Sequence, residues 1–326
     1  MKLIVQIPCL NEEKTIALTI RDIPRRIAGV DQVEVLIIDD GSTDRTVEEA
    51  RKAGTDHVIS FTERKGLARA FMAGIDAALA RGADIIVNTD ADNQYRGADI
   101  PRLIDPILKG EADIVVGNRE VEKIASFSPL KKFLQKLGSW VVRKLSHTSV
   151  PDAASGFRAY DREAAFSLNV VSNFSYTLET LIQAGKGSLA VKHVPVRTNP
   201  QTRPSRLFTG TWSYLKQSVA TLTRIYTMYE PLKVFSMIGG FVIFLGAALS
   251  LRFFFFFVIG EGKGHVQSLI FAAVFLIVGF QVLVIGLLAD TIAASRKISE
   301  NVLYRVKKLE AREGERKTRP PTHPTE

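Results

Sequence analysis

Short apolar runs alternate with segments of helical period through the first two thirds of the chain. Residues 3–8 form a β-branched run that ends at a turn. Asn11, Glu12 and Glu13 then open a helix, with acidic residues in its first turn where the dipole favours them. Residues 33–38 are a second continuous apolar run. It ends in Asp39, Asp40, Gly41 and Ser42, and Thr43 or Asp44 is placed to cap the next helix. Residues 58–61, 85–87 and 114–116 predict three more strands, and residues 66–79 carry apolar positions at helical spacing. The alternation predicts βαβ units and a mostly parallel sheet, an α/β fold. Polar clusters follow the strand ends at 8–12, 39–42, 90–94 and 117–119. Open α/β sheets bind ligands beyond the carboxyl ends of their strands, so these four segments are expected to meet at one edge.

The pattern then changes. Within residues 127–146, Leu130, Phe133, Leu134, Leu137, Val141 and Leu145 share a helical face flanked by Lys131, Lys132, Lys136, Arg143 and Lys144. A basic amphipathic helix suits a membrane surface. A helix packed on the sheet accounts for this segment nearly as well. A second amphipathic stretch, 207–230, places Phe208, Trp212, Leu215, Val219, Leu222, Tyr226 and Tyr229 at spacings of four and three. Its Trp and Tyr favour the boundary between water and lipid.

After Lys233, residues up to 259 are almost wholly apolar, broken by Arg252, and the run 266–290 holds Gln267 and Gln281 but no charge before Asp290. Each run exceeds the roughly 20 residues that a membrane-crossing helix needs. The short link from Glu261 to His265 makes them a hairpin. Arg252, about two turns from the end of its run, can snorkel or pair within a bundle. Gly239, Gly240 and Gly246 would permit close helix packing in a homo-oligomer, or face lipid. The tail, 295–326, is rich in Lys and Arg, whereas the link holds only Lys263. Positive residues favour the cytosolic side, so the catalytic domain and both termini are expected there. The last residues, polar and rich in Pro, are expected to be disordered. The chain thus divides into a domain at 1–230, two spans within 231–294 and a basic tail.

Composition narrows the partners. The formal net charge is +9, which suits phosphate-bearing ligands, anionic lipid or nucleic acid. The basic residues cluster beside the membrane-like segments, and that placement argues against nucleic acid. Cys9 is the single cysteine, so an internal disulfide and a Cys-based zinc site are excluded; within an apolar run it reads as a buried thiol. Met1 and Lys2 lead straight into a strand, without the h-region of a signal peptide.

Candidate chemistry sits at the strand ends. Asp90 and Asp92 follow a buried strand one residue apart, a spacing that offers two carboxylates to a hard divalent cation. Mg²⁺ or Mn²⁺ suits such oxygen ligands, and Gln94 can add a third oxygen. In isolation the same pattern is a solvated capping loop. Asp39 and Asp40 can accept hydrogen bonds from a nucleobase or ribose; alone, they read as a capping turn. Lys65, Arg119, Arg158, Arg197 and Arg206 lie in loop-like contexts and can contact phosphate. Asp152, Ala153, Ala154, Ser155, Gly156, Phe157 and Arg158 mix small, charged and aromatic residues in a non-helical stretch.

Taken in order, Pro8-x-x-Asn11-Glu12-Glu13, Ile38-Asp39-Asp40-Gly41-Ser42, Lys65-Gly66-Leu67, Asp90-Ala91-Asp92, Gly117-Asn118-Arg119 and Ser155-Gly156-Phe157-Arg158 resemble the family 2 glycosyltransferases of the GT-A fold. The resemblance is to the branch of dolichyl-phosphate and other polyprenyl-phosphate sugar synthases, several of which also carry paired C-terminal spans. It implies a Rossmann-like, mostly parallel catalytic domain followed by a transmembrane hairpin. Pro8, Leu10, Glu12, Asp39, Asp40, Lys65 and Gly66 would bind the nucleotide sugar, a UDP- or GDP-sugar. Asp90, Asp92 and Gln94 would hold Mg²⁺ or Mn²⁺ against its diphosphate, and Arg206 would approach the donor phosphates. Arg119, Lys131, Lys132 and Arg158 would meet the phosphate of a polyprenyl phosphate acceptor, with Asp92 and Arg119 central to catalysis.

Three departures qualify the match. Leu10 stands where an aromatic is frequent. The Q-x-x-R-W motif of processive synthases is absent. Glu179 is followed by Thr180, not by the Asp of the Glu-Asp pair in many relatives with hydroxyl acceptors. A phosphate monoester, with a second pKa of about 6, is largely dianionic at neutral pH and attacks without a general base. The expected reaction is therefore inverting transfer to a lipid phosphate. Transfer to a lipid hydroxyl such as diacylglycerol is the alternative; Glu179 would then be the base, although a surface carboxylate is the simpler reading of it. A non-catalytic membrane scaffold is a further alternative, and nucleotidyl transfer ranks low because the early segment lacks a Gly-rich phosphate loop.

Overall fold

The computed structural model describes residues 1–120, 129–146, 148–170, 176–200, 220, 223–224 and 227–318. It divides into two compact units, residues 1–219 with 301–326, and residues 220–300.

The first unit is built on seven strands: β1 (Lys2–Cys9), β2 (Gln32–Asp39), β3 (His57–Ser60), β4 (Ile85–Asn88), β5 (Ile114–Asn118), β6 (Arg158–Asp161) and β7 (Val191–Pro195). They form one sheet in the order β3-β2-β1-β4-β6-β5-β7. β1 pairs in parallel with β2 and β4, β2 with β3, and β5 with β7. β6 alone runs against its neighbours, β4 and β5. The apolar runs are continuous because the central strands are covered on both faces: from Leu3 to Cys9 every residue of β1 is buried. Leu3, Val5 and Ile7 join Val35, Ile37, Val87 and Val115 in one core cluster.

Helices α1 (Ile16–Asp22), α2 (Thr46–Lys52), α3 (Leu67–Ala80), α4 (Ile100–Leu108), α5 (Pro129–Ser146), α6 (Arg162–Ser167) and α7 (Tyr176–Lys186) connect and cover the strands. The first helix starts later than its acidic residues suggest. Glu12 O accepts from the amides of Thr15 and Ile16, so residues 12–15 form a turn and no acid lies in the first helical turn. At α2 the N-cap position falls on Arg45, which makes no side-chain cap hydrogen bond, and not on Thr43 or Asp44; Asp44 accepts from Thr46 N at 3.0 Å from one residue before it. Gly41 sits at φ 79°, where a side chain is disfavoured, and an added Cβ would come within 3.0 Å of the main chain of Glu63 and Arg64.

β6 and β7 were not expected. β6 is the strand that matters for function. Because it is antiparallel, its first residue, Arg158, pairs with Asn88 and Val116, the carboxyl-terminal parts of β4 and β5. The stretch 152–157 before it is thereby delivered to the sheet edge where the polar clusters lie.

The second unit holds α8 (Pro231–Val258) and the first part of α9 (Val266–Thr318). Both helices are long and apolar enough to cross a membrane. The 28 residues of α8 extend about 42 Å, against a hydrocarbon core of about 30 Å. Phe241, Phe244, Leu251, Phe254, Ile270 and Phe280 are each at least 60% exposed, a surface suited to lipid and not to water. The glycines pack the hairpin on itself. A Cβ on Gly239 would lie 3.0 Å from Gly279 O, and one on Gly246 would lie 2.9 Å from Leu276. These two glycines are thus occupied within the chain's own hairpin; Gly240 has nothing within 4 Å. The basic tail continues α9 as helix to Thr318. The stretch 207–219, the remaining undescribed positions up to 226 and the final residues 319–326 lie outside the described residues.

Candidate active site

Hydrogen bonds stitch the strand-end segments together. After β1, Asn11 N donates to Ser42 Oγ at 2.9 Å, and Glu12 N donates to Thr46 Oγ1 at 2.8 Å. After β2, Ser42 N donates to Asp39 Oδ1 at 2.9 Å. Asp40 accepts from the amides of Lys65 and Gly66 at 2.7 and 3.0 Å, tying the loop after β3 to the turn after β2. Asp39 and Asp40 are both buried, and their first partners are main-chain amides. Gly66 precedes the 14-residue α3, whose amino terminus favours anions. Lys65 is exposed, its ammonium 4.6 Å from the Phe61 ring centroid. Pro8 is buried in β1; Leu10 is half-buried just beyond it, and Glu12 is buried.

The paired carboxylates follow β4. Asp90 keeps part of its surface open, yet its carboxyl is pushed up to about 7, first by burial and then by the charge of Asp92, with Arg119 opposing. Gln94 N donates to Asp92 Oδ1 at 3.1 Å. Among the described residues, no cluster of three His, Cys, Asp or Glu residues forms a complete metal cage. Two crowded carboxylates nevertheless fit a divalent cation that takes its other ligands from diphosphate and water. A cation there relieves the burial and repulsion that raise the Asp90 pKa.

The 152–158 stretch closes the site from β6. Asn88 Nδ2 donates to Gly156 O at 2.8 Å and to Tyr176 OH at 3.0 Å, while Gly156 N donates to Tyr95 OH at 3.0 Å. An added Cβ at Gly156 would sit 2.8 Å from Tyr176 OH and 2.9 Å from Asp90 Oδ1, so only glycine fits against the Asp90 carboxyl. Burial raises the pKa of Tyr95 to about 12 and lifts that of Tyr176 well above the ordinary phenol value, so both phenols stay protonated.

Arg119, after β5, is locked in a fork. Its Nε donates to Asp152 Oδ2 at 2.7 Å, and its other donor reaches Asp152 Oδ1 at 2.9 Å. The side chains are only 9% and 3% exposed. Burial alone would lower the Arg119 pKa, but the charge and hydrogen bonds of Asp152 oppose it and the net shift is upward. The cation therefore persists at any working pH, with its guanidinium 5.9 Å from the Tyr95 ring centroid.

Two expectations change. Arg158 lies in β6, not in a loop, and is fully buried. It donates to Ser155 O, Ala153 O, Thr177 O and Thr180 Oγ1 at 2.7–2.8 Å. Those bonds make it a pin that shapes the 153–155 loop, not a contact for phosphate. Glu179 is 1% exposed, so it is not a surface carboxylate. Arg197 is exposed, and its amide donates to Asp99 Oδ2 at 2.7 Å. Lys131 and Lys132 lie in α5, with side chains outside the described residues; Arg206 is outside them altogether. Sequence reasoning gave no role to Asp152, Tyr95, Asn88 or Tyr176. Asp152 left a signal, as the one acid in the small-residue stretch before Gly156. Three non-glycine residues with positive φ, Asn11 at 54°, Asn93 at 57° and Glu120 at 48°, stand beyond β1, β4 and β5. Such conformations cluster at functional sites.

Comparison with known proteins agrees with this geometry. Residues 4–166 match the family model described as Glycosyl transferase family 2. An undecaprenyl-phosphate mannosyltransferase of Micrococcus luteus is 32% identical over 54% of this chain and 74% of its own length. A UDP-N-acetylglucosamine–dolichyl-phosphate N-acetylglucosaminyltransferase of Methanococcus voltae is 31% identical over 59% of this chain and 83% of its own. Among solved structures, glucosyl-3-phosphoglycerate synthase from Mycobacterium tuberculosis, in complex with Mn²⁺, UDP and phosphoglyceric acid, superposes with a TM-score of 0.52. It is 25% identical, over 69% of this chain and 78% of that one.

Proposed function

Because the chain belongs to glycosyl transferase family 2, we propose that this glycosyltransferase moves a hexose, with inversion, from a nucleoside diphosphate sugar to a polyprenyl phosphate in the membrane. The two relatives above, named for undecaprenyl and dolichyl phosphate, support that acceptor class. The observation that carries the reading is the placement of a permanently charged, forked arginine beside a pair of crowded carboxylates at one sheet edge.

The donor would lie across the ends of β1, β2 and the loop before α3. Pro8, Leu10 and Glu12 line its first side. Asp39 and Asp40, held by Ser42, Lys65 and Gly66, shape the turn that receives base and ribose. Asp90 and Asp92, with Gln94, would hold Mg²⁺ or Mn²⁺, which when bound offsets the charge of the departing diphosphate. Structures related to this chain bind Mn²⁺ with UDP, which supports that cofactor class. Arg206 is assigned to the donor phosphates and Lys131 and Lys132 to the acceptor.

Arg119 presents its charge to the acceptor phosphate while Asp152 fixes its plane. The phosphate oxygen attacks the anomeric carbon from the face opposite the leaving diphosphate, a displacement that inverts the centre. The acceptor is already a dianion, so the step needs positioning and no general base.

α5 supports access from a membrane. Among its described side chains Ser139, Val142 and Ser146 are buried, and Ser139 Oγ accepts from Ala153 N at 3.2 Å. Leu137 and Trp140 point outward, 41% and 51% exposed, with Lys136 and Lys144 also exposed; Lys144 lies 5.4 Å from the Trp140 ring centroid. An apolar and aromatic outward face bracketed by lysines favours an anionic lipid surface over a packed protein face. With the two apolar helices, it fits an integral membrane enzyme whose catalytic domain and termini are cytosolic.

Asp92→Ala tests the metal assignment. Transfer in the full chain should fall below detection at any Mn²⁺ or Mg²⁺ concentration, with thermal unfolding little changed. Wild-type turnover in that variant would refute the assignment.

A further inference from the structure

The turn that carries the paired carboxylates is held from outside by the segment after β7. Tyr95 and Thr198 form a β-bridge. Asn199 N donates to Gln94 O at 2.8 Å. Asn199 Nδ2 donates to Asn93 O at 3.0 Å, with Asn93 Oδ1 3.5 Å from the same nitrogen. Both residues gripped by Asn199 adjoin Asp92: Asn93 follows it with φ 57°, and Gln94 donates its amide to Asp92 Oδ1. A left-handed residue persists only where its surroundings over-determine it. On the outer side of this turn lies an open cleft of about 550 Å³, lined by Leu18, Arg21, Asp22, Asn93, Asn199 and Pro200. Among the described residues, the bonds that the segment after β7 makes to this turn are the β-bridge at Thr198 and the hydrogen bonds of Asn199.

We propose that Asn199 is a positioning residue for the cation site: by clamping the carbonyls of Asn93 and Gln94 it fixes the direction of the Asp92 carboxylate without touching the metal. The inference rests on Asp90 and Asp92 being the metal ligands. Partners beyond the ligands orient them, and their loss typically lowers metal affinity by about 10- to 100-fold.

The test uses the full chain in detergent. Binding of Mn²⁺ is followed by the electron paramagnetic resonance signal of the free ion, with UDP present and again with GDP present. Thermal unfolding of the metal-free protein is measured alongside. Asn199→Ala should weaken Mn²⁺ binding about tenfold with little change in unfolding. The Mn²⁺ concentration for half-maximal transfer should rise by the same factor, with the loss recovered at saturating Mn²⁺. Unchanged Mn²⁺ affinity in Asn199→Ala overturns the proposal. Should that variant not fold, Asn93 decides. Asn93→Ala, strained at positive φ, should bind Mn²⁺ more weakly than Asn93→Gly, and equal affinities overturn the proposal. Asp92→Ala separates the two levels. Lost binding there with normal binding in Asn199→Ala removes only the positioning role, whereas normal binding in Asp92→Ala removes the metal-site reading beneath it.

Discussion

Arg119 and Asp152 show what a single pair of residues does in this site. A bidentate, nearly buried ion pair is costly to form and costly to break, because either partner alone is an uncompensated charge in protein. Asp152→Asn keeps the shape and removes the charge. It is expected to lower stability by about 3–5 kcal/mol, the range for a broken buried pair, and to raise KM for the acceptor more than KM for the donor. Thermal unfolding and steady-state kinetics in detergent check both; an unchanged acceptor KM would detach Arg119 from the acceptor. The residue types of this site were readable in the sequence, but their directions were not. Arg119 and Arg158 are chemically identical and each stands two residues after a glycine, Gly117 and Gly156. One keeps its charge beside the site, while the other spends its donors on Ser155, Ala153, Thr177 and Thr180. Only the antiparallel course of β6 separates them.

At the scale of elements, continuous apolar runs identified β1, β2, β4 and β5 because a strand covered on both faces leaves that trace. β6 and β7 left none. β6 reads Arg-Ala-Tyr-Asp, its buried arginine disguising a core strand, and β7 exposes Lys192, His193 and Pro195 at the sheet edge. The amphipathic reading of α5 did not say which way the helix points: of its apolar face Leu137 is exposed and Val141 half-buried, while the side chains of Leu130, Phe133, Leu134 and Leu145 lie outside the described residues. The small residues Ser139 and Ser146 face the domain, so Leu137 and Trp140 face outward. Replacing Leu137 and Trp140 together by Ala should reduce transfer to polyprenyl phosphate in anionic vesicles severalfold. Mn²⁺-dependent nucleotide binding and thermal unfolding should stay near wild type, because neither side chain is packed in the core. Equal transfer from vesicles by the double variant and the wild type would place the membrane contact elsewhere.

At the scale of the whole molecule, the chain joins a seven-stranded, mostly parallel sheet to two helices sheathed in exposed apolar side chains. Each half makes sense of the other if the acceptor is a lipid that ends in phosphate. A phosphate acceptor accounts for a site built on a fixed cation and paired carboxylates. A lipid acceptor accounts for the lysine-bracketed face of α5 and for α8 and α9. The most direct measurement gives the purified full chain in detergent a panel of radiolabelled UDP- and GDP-sugars with Mn²⁺. Polyprenyl phosphate, polyprenol and diacylglycerol are supplied as separate acceptors. The account predicts that one donor labels polyprenyl phosphate alone, with anomeric configuration opposite to that of the donor and no product when the metal is chelated. Label appearing in diacylglycerol or polyprenol but not in polyprenyl phosphate would contradict it.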